Sequence, residues 1–156
     1  MKTLKIGIIG CGKQADKHVR SLSKLPGLEF VLADKDTQLA RTLADKTGCP
    51  WYSDADEIFE DKGIEAVVIC TPTQTHVPLI KQAIEFGKHV FCEKPLANSL
   101  ERAEDLQGVV SASDRIALLG YVYRYVPIFD EGAKLFREQA FNGNSLVMGR
   151  PLSASF

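Results

Sequence analysis

A glycine-rich segment near the amino terminus has the spacing of a phosphate-binding turn. The apolar run Ile6 to Ile9 leads directly into Gly10-Cys11-Gly12-Lys13-Gln14-Ala15, and a stretch of helical periodicity follows at once. In such a turn the first glycine permits a tight bend, the second lets backbone N–H groups approach a pyrophosphate, and the small Ala15 lets helix and strand pack closely. The free N–H groups of the helix N-terminus attract the anion. The pattern therefore predicts a dinucleotide-binding turn that includes Gly10, Gly12, Lys13 and Gln14.

A carboxylate follows the second apolar run, Val31-Leu32-Ala33-Asp34. Asp34 is placed to accept a hydrogen bond from the 2′-hydroxyl of an adenosine ribose, and it would repel the 2′-phosphate of NADP. Lys13 and Lys35 could soften that repulsion, and Asp34 could also be a solvated turn residue. A Gly-x-Gly turn also occurs in ordinary tight turns and in methyltransferases, so Asp34 matters to the assignment. We expect NAD as the cofactor, with NADP less favoured.

The elements that must position these residues alternate between short apolar runs and amphipathic stretches. The predicted strands are Leu4 to Ile9, Glu29 to Ala33, Ala66 to Cys70, His89 to Cys92 and Ile116 to Leu119, with a weaker one at Trp51 to Tyr52. The predicted helices are Gln14 to Lys24, Thr37 to Thr47, Asp54 to Phe59, Thr75 to Phe86 and Ser99 to Ser111. Plausible N-caps are Ser53 or Asp54, Thr75 and Ser99, and helix stops are Gly48 and Gly87. This alternation predicts an α/β fold with a Rossmann-type, doubly wound parallel sheet.

Three further segments stand at the carboxyl ends of later strands, the edge where open parallel sheets bind ligands. They are Thr71-Pro72-Thr73-Gln74-Thr75-His76, Glu93-Lys94-Pro95 and Gly120-Tyr121-Val122-Tyr123-Arg124-Tyr125-Val126-Pro127. In this order, and together with the glycine turn, the set resembles the Gfo/Idh/MocA oxidoreductase family. The resemblance implies an amino-terminal Rossmann domain followed by a substrate domain. It also implies hydride transfer to or from a hydroxyl of a sugar, cyclitol or related polyol.

For the first of these segments, the resemblance implies cofactor contacts. Thr71 and Pro72 would lie near the adenosine or nicotinamide riboses, with His76 beside them. Pro72 fixes the direction of the chain as it leaves the strand. His76 falls in the first turn of a predicted helix, where a neutral imidazole is preferred to a charged one. A capping or surface role for His76 is an equal alternative.

For Glu93-Lys94-Pro95, the resemblance places Lys94 beside the nicotinamide and the reacting hydroxyl, which makes Lys94 the expected catalytic residue. Oxidation of an alcohol builds negative charge on its oxygen, and an ammonium group within hydrogen-bond reach stabilises that charge or carries the proton. Glu93 is expected to position Lys94 or to contact the cofactor ribose.

Arg124 is flanked by two tyrosines, and the resemblance implies that it reaches toward the cofactor or the mouth of the substrate site. The alternative is an arginine stacked on tyrosines at a domain junction. This sequence has Val122 where the family often has asparagine, so polar contacts expected there are in doubt.

We predict that residues 1–120 form a dinucleotide-binding domain. Residues 121–156 are predicted to be the truncated start of an α+β second domain. The helix predicted from Phe129 to about Phe141 is followed by a strand from Ser145 to Phe156, through which we expect self-association into a homo-oligomer. The family's second domain supplies an Asp/His pair that has no match in this sequence. A non-enzymatic NAD-binding or interaction module is therefore an alternative to an enzyme. An adenosylmethionine-dependent transferase would leave Glu93-Lys94-Pro95 unexplained.

Composition narrows the partners and the compartment. The 156 residues carry a formal net charge of −1, which gives no basic field for nucleic acid, and the first apolar run is too short for a signal peptide or a membrane span. The four cysteines stand singly, without the close pairs typical of zinc sites, so we expect no metal. Cys70 and Cys92 are predicted to pack as small hydrophobes, and His18 and His89 to be packing or surface residues. We expect a cytoplasmic protein with a small-molecule substrate.

Overall fold

Six parallel strands form one sheet in the computed structural model, which describes residues 3–141. The strands are β1 (Leu4–Ile9), β2 (Leu28–Ala33), β3 (Trp51–Tyr52), β4 (Ile64–Ile69), β5 (His89–Cys92) and β6 (Ala117–Leu119). The helices are α1 (Lys13–Leu22), α2 (Thr37–Thr47), α3 (Ala55–Glu60), α4 (His76–Glu85), α5 (Leu100–Ser111) and α6 (Pro127–Phe141). The spatial order β3-β2-β1-β4-β5-β6 reverses direction between β1 and β4. This is the order of a Rossmann sheet, whose ligand lies at that reversal.

Successive side chains of each strand point to opposite sides of the sheet, and helices bury the apolar side chains on both faces. On one face, Ile6 and Ile8 of β1 pack with apolar residues of α1 and α2. On the other face, Ile9 packs with apolar residues of α3, α4 and α5. Strands covered on both sides need continuous apolar runs, which is why the runs in this sequence predict them well.

Helix ends follow the expected chemistry at most positions. Asp54 and Ser99 accept hydrogen bonds from first-turn N–H groups of α3 and α5, and Gly48 ends α2 in the left-handed conformation, with φ at +71°. Thr75 does not cap α4 in this way. A 3-10 turn, Thr73–Thr75, precedes that helix, and the Thr75 hydroxyl lies 2.7 Å from both the Thr71 hydroxyl and the Pro72 carbonyl.

The backbone divides into two compact units, Met1–Gly120 and Tyr121–Phe156. In the second unit a 3-10 turn, Val122–Tyr125, precedes α6. The strand predicted from Ser145 to Phe156 lies outside the described residues. Within residues 3–141, no helix combines the length and the apolar character needed to cross a membrane.

Candidate functional site

The turn between β1 and α1 has the geometry that a pyrophosphate requires. Gly10 has φ at +89°, and a Cβ atom there would lie 2.9 Å from the backbone of Cys70 and Thr71, so this position requires glycine. A Cβ atom at Gly12 would meet no atom within 4 Å, and Gly12 caps α1 without a side-chain hydrogen bond. The helix N-terminus is thus open on the side of Gly12. A phosphate group fits against the backbone N–H groups there.

Asp34 connects the end of β2 to this turn. Its Oδ2 atom accepts a hydrogen bond of 2.7 Å from the backbone N–H of Cys11, and its Oδ1 atom accepts one of 2.9 Å from the N–H of Asp36. A carboxylate oxygen can accept more than one hydrogen bond, so the half-buried Asp34 retains acceptor capacity for a ribose hydroxyl. The carboxylate therefore fixes the glycine turn from the carboxyl end of β2.

His76 lies beneath the turn that follows β4. Its side chain is buried, with Nε2 2.8 Å from the Thr71 carbonyl oxygen and Nδ1 2.8 Å from the Pro95 carbonyl oxygen. Both ring nitrogens are therefore engaged with the protein, whereas Thr71 is half-buried and Pro72 is exposed. In this arrangement His76 holds the two turns together, while Thr71 and Pro72 form the accessible part of the segment.

Glu93 follows β5 directly and is buried although it carries a carboxyl group. Its Oε1 atom lies 2.8 Å from Nε2 of His18, and its Oε2 atom accepts a hydrogen bond of 3.2 Å from the backbone N–H of Lys94. The side chain of Lys94 is exposed. The Lys94 side chain is thus accessible, and the carboxyl group of Glu93 before it is held in place.

His18 also belongs to this set of contacts, although the sequence predicts it only as a packing or surface residue. It is separated from Glu93 by 75 positions, and its ring also packs edge-on against Phe91, with 5.3 Å between the ring centroids. No local pattern reports a contact over that separation. The one signal was its position on α1, the helix that begins at the glycine turn.

Three cysteines near these turns have thiols that resist deprotonation. Burial raises the pKa of the Cys11, Cys70 and Cys92 thiols from the ordinary value of 9.0 to about 12, and the carboxylates of Asp34, near Cys11, and Glu93, near Cys70 and Cys92, add to the effect. Cys92 is fully buried at the end of β5, whereas Cys70 lies one residue beyond β4 and is half-buried. Among residues 3–141, no three His, Cys, Asp or Glu side chains are grouped to hold a metal ion.

The predicted residues of the first unit form one continuous set at the carboxyl edge of the sheet. Asp34 contacts the glycine turn, Gly10 lies against Thr71, His76 joins Thr71 to Pro95, and Glu93 joins Lys94 to α1. Arg124 lies in the 3-10 turn of the second unit, and its side chain falls outside the described part of the chain.

The strand order and the glycine turn at the β1–α1 junction define a Rossmann-type dinucleotide-binding protein. The family model described as "Oxidoreductase family, NAD-binding Rossmann fold" (GFO_IDH_MocA) matches residues 4–121. The chain therefore belongs to the Gfo/Idh/MocA oxidoreductase family, and residues 4–121 are its NAD-binding domain. The resemblance inferred from the motifs is confirmed.

Several characterised proteins are similar to this chain. Inositol 2-dehydrogenase of Rubrobacter xylanophilus is 32% identical over 127 residues, which cover 80% of this chain and 37% of that protein. The scyllo-inositol 2-dehydrogenase (NAD(+)) of Bacillus subtilis is 33% identical over 137 residues, covering 84% and 39%. The structure of scyllo-inositol dehydrogenase from Lactobacillus casei, with bound NAD(H) and scyllo-inositol, superposes with a TM-score of 0.79 at 26% identity, covering 88% of this chain and 42% of that one. The chain thus spans about two-fifths of the length of these relatives.

Proposed function

We propose that this chain supplies the NAD-binding half of a dehydrogenase that transfers hydride between NAD and a hydroxyl-bearing carbon of a cyclitol, sugar or related polyol. The observation that carries the proposal is the continuous set of contacts from Asp34 through the glycine turn and Thr71 to Glu93-Lys94-Pro95. These contacts support a ribose acceptor at Asp34, a phosphate turn at Gly10 to Gln14 and a cation at Lys94 along one sheet edge. The substrate class follows from the relatives, whose names specify inositol dehydrogenases.

The residues of this chain divide the work of holding the cofactor and assisting the reaction. The turn from Gly10 to Gln14 holds the pyrophosphate, Asp34 accepts from the adenosine ribose, and Thr71 and Pro72 line the riboses. NAD, when bound, supplies the hydride acceptor. The Lys94 ammonium group lies beside the reacting hydroxyl, where it stabilises negative charge on the oxygen or carries its proton.

The cofactor preference is tested by Asp34→Asn. Asparagine keeps an oxygen that can accept from the Cys11 N–H, so the turn retains its anchor while the negative charge is removed. We expect the affinity for NADH to fall about tenfold, since hydrogen bonds to charged groups are stronger than neutral ones, and the affinity for NADPH to stay equal or to rise. Isothermal calorimetry with both cofactors measures the two affinities.

The matched control is Asp45→Asn, which removes an equal charge from an exposed position on α2. It should leave both affinities unchanged. Equal losses for NADH and NADPH in Asp34→Asn would contradict the assignment of Asp34 as the residue that selects NAD. Binding of adenosylmethionine in preference to NADH would contradict the whole proposal.

We further propose that the protein works in the cytoplasm, on a small molecule rather than on nucleic acid, and as a homo-oligomer. Free thiols at Cys11, Cys49, Cys70 and Cys92 support a reducing compartment. The net charge of −1 supports a small-molecule partner. The edge strand β6 supports self-association, because Leu118 on that strand and Ile116 just before it are exposed apolar residues.

A further inference from the structure

We propose that two histidines, His18 and His76, act as positioning residues that hold the Glu93-Lys94-Pro95 turn from its two sides and thereby place the Lys94 ammonium group. The inference rests on the proposed function, because the role of Lys94 beside the nicotinamide is part of that proposal. Lys94 has an exposed side chain, whereas the residues on either side of it are tied to helices.

The first support comes from α1. Nε2 of His18 lies 2.8 Å from Oε1 of Glu93, and the imidazole ring packs edge-on against Phe91, two residues earlier on the same chain segment. A ring held by both a hydrogen bond and an aromatic contact has little rotational freedom. His18 therefore fixes Glu93 relative to the helix whose N-terminus forms the phosphate site.

The carboxylate passes this constraint to Lys94. Oε2 of Glu93 accepts a hydrogen bond from the Lys94 backbone N–H at 3.2 Å. Space around Glu93 is limited, since a Cβ atom at Gly120 would lie 3.4 Å from Oε2 and 3.2 Å from the Phe91 ring. Glu93 is only 8% exposed, so loss of the His18 contact would leave a buried carboxylate oxygen short of a partner. We expect Glu93 then to move and to take the Lys94 backbone with it.

The second support comes from α4. Nδ1 of His76 lies 2.8 Å from the Pro95 carbonyl oxygen, and Nε2 lies 2.8 Å from the Thr71 carbonyl oxygen. Both ring nitrogens of His76 thus lie within hydrogen-bond distance of a backbone oxygen, one on each turn. With a 1% exposed ring, His76 acts from beneath the site and fixes Pro95 relative to the turn that lines the cofactor.

The test separates the two ends of the cofactor. ADP-ribose occupies the phosphate and ribose sites but lacks the nicotinamide, whereas NADH also reaches Lys94. His18→Phe keeps an aromatic ring beside Phe91 and removes the nitrogen that contacts Glu93. We expect this variant to bind NADH about five- to tenfold more weakly, the effect of one hydrogen bond, and to bind ADP-ribose within about twofold of the wild-type chain. NADH fluorescence and calorimetry supply the two affinities.

Further variants test whether His18 acts through Lys94. Lys94→Met should weaken NADH without weakening ADP-ribose, and adding His18→Phe to it should produce no further loss, because coupled residues are not additive. His18→Gln, whose amide N–H can donate to Glu93, should recover most of the NADH affinity. His76→Leu, which removes both ring nitrogens, should show the same preferential loss of NADH in the folded chain. The control Arg20→Gln breaks an exposed ion pair with Asp16 on α1 and should bind both ligands as the wild-type chain does.

The outcomes are distinct. Equal losses of NADH and ADP-ribose in His18→Phe would mean a general structural role and would overturn the inference, as would a full additional loss in the Lys94→Met background. Unchanged NADH affinity in His18→Phe would also overturn it. A wild-type chain that binds neither ligand would instead refute the proposed function, and the inference with it.

Discussion

Asp34 and Glu93 have the same structural task at two strand ends. Asp34 follows β2 and accepts from the backbone N–H of Cys11, whereas Glu93 follows β5 and accepts from the backbone N–H of Lys94. Each carboxylate thus holds a turn that follows a different strand, and the two turns flank the reversal of strand order. A charged acceptor makes a stronger hydrogen bond to a backbone N–H than a neutral one does. Each turn is therefore held by one carboxyl group, and the side chain of Lys94 next to Glu93 is exposed.

The raised pKa values of three thiols allow a prediction about pH. Because the pKa of Cys11 is raised to about 12, its thiol stays protonated between pH 9 and 12, where an unfolded cysteine loses its proton. The free energy of unfolding therefore keeps its full value below pH 9 and falls as the pH rises toward 12, because the unfolded chain loses a proton that the folded chain retains. At pH 10 only about 1% of such a thiol is thiolate, so we expect iodoacetamide to modify Cys11 about 100-fold more slowly in the folded chain than in the unfolded one.

Mass spectrometry of peptides after timed alkylation gives the rate for each cysteine. Cys70 and Cys92 should react as slowly as Cys11, since burial raises the pKa of each of them to about 12. Urea-unfolded protein is the reference in which all four cysteines react at similar rates. Alkylation of Cys11 in the folded chain at the rate of the unfolded chain would show that its thiol is not buried as described.

The sequence predicts which residues lie at the carboxyl ends of strands. Asp34 and Glu93 come directly after β2 and β5, and Gly10, directly after β1, has the positive φ of a tight turn. The partners of these residues are not predictable in the same way. The contacts of His18 with Glu93 and of His76 with Pro95 depend on how helices pack over the sheet, which no local spacing encodes.

At the scale of elements, α3 packs closely against β1 at Gly7, because Ile58 of α3 occupies the space that a side chain at Gly7 would need. A Cβ atom at Gly7 would lie 2.4 Å from Cγ2 of the fully buried Ile58 and 3.4 Å from Val67. We expect Gly7→Ala to lower the free energy of unfolding by about 2 kcal/mol, because overpacking forces side chains out of their preferred rotamers. Urea unfolding followed by the fluorescence of Trp51, the single tryptophan, measures it.

A double-mutant cycle identifies the cause. If Ile58 is the obstacle, Gly7→Ala combined with Ile58→Ala should cost at least about 1 kcal/mol less than the sum of the two single changes. Gly108→Ala is the control. A Cβ atom there meets nothing within 4 Å, and alanine in helix α5 should stabilise the chain by up to about 1 kcal/mol. Additive losses in the cycle would mean that Gly7→Ala destabilises the chain through the strand itself and not through contact with Ile58.

The element boundaries show where apolar patterns stop being informative. β1, β5 and α2 have the predicted bounds because their ends coincide with changes from apolar to polar residues or with a glycine. β4 begins at Ile64, two residues before the prediction, because Glu65 interrupts the apolar run although its backbone continues the strand. A single polar side chain near the amino end of a strand does not end that strand when the side chain can reach solvent.

At the scale of the whole molecule, residues 4–121 form the NAD-binding domain of a Gfo/Idh/MocA oxidoreductase. The strand order, the family and the NAD-binding role are predictable from the sequence because they depend on repeated strand–helix units and on motifs at one sheet edge. The substrate is not predictable to the level of a single compound, because the chain spans only about two-fifths of the length of the inositol dehydrogenases to which it is similar.

The exposed edge of the sheet gives the prediction for assembly. β6 is the last strand of the sheet, and Leu118 on it is 54% exposed. If copies of the chain associate through this edge, Leu118→Glu should weaken association about tenfold or more, because a charge replaces a leucine that association would bury. Light scattering coupled to size exclusion measures the association, and NADH affinity should be unchanged because Leu118 makes none of the contacts that hold the cofactor turns.

Leu25→Glu is the matched control for this edge. Leu25 is 55% exposed, a value close to that of Leu118, but it lies between α1 and β2 and away from β6. The same substitution there changes the net charge equally and should leave association intact. Loss of association in both variants would show that charge, and not the β6 edge, controls assembly. A wild-type chain that stays monomeric at every concentration tested would refute the proposed homo-oligomer.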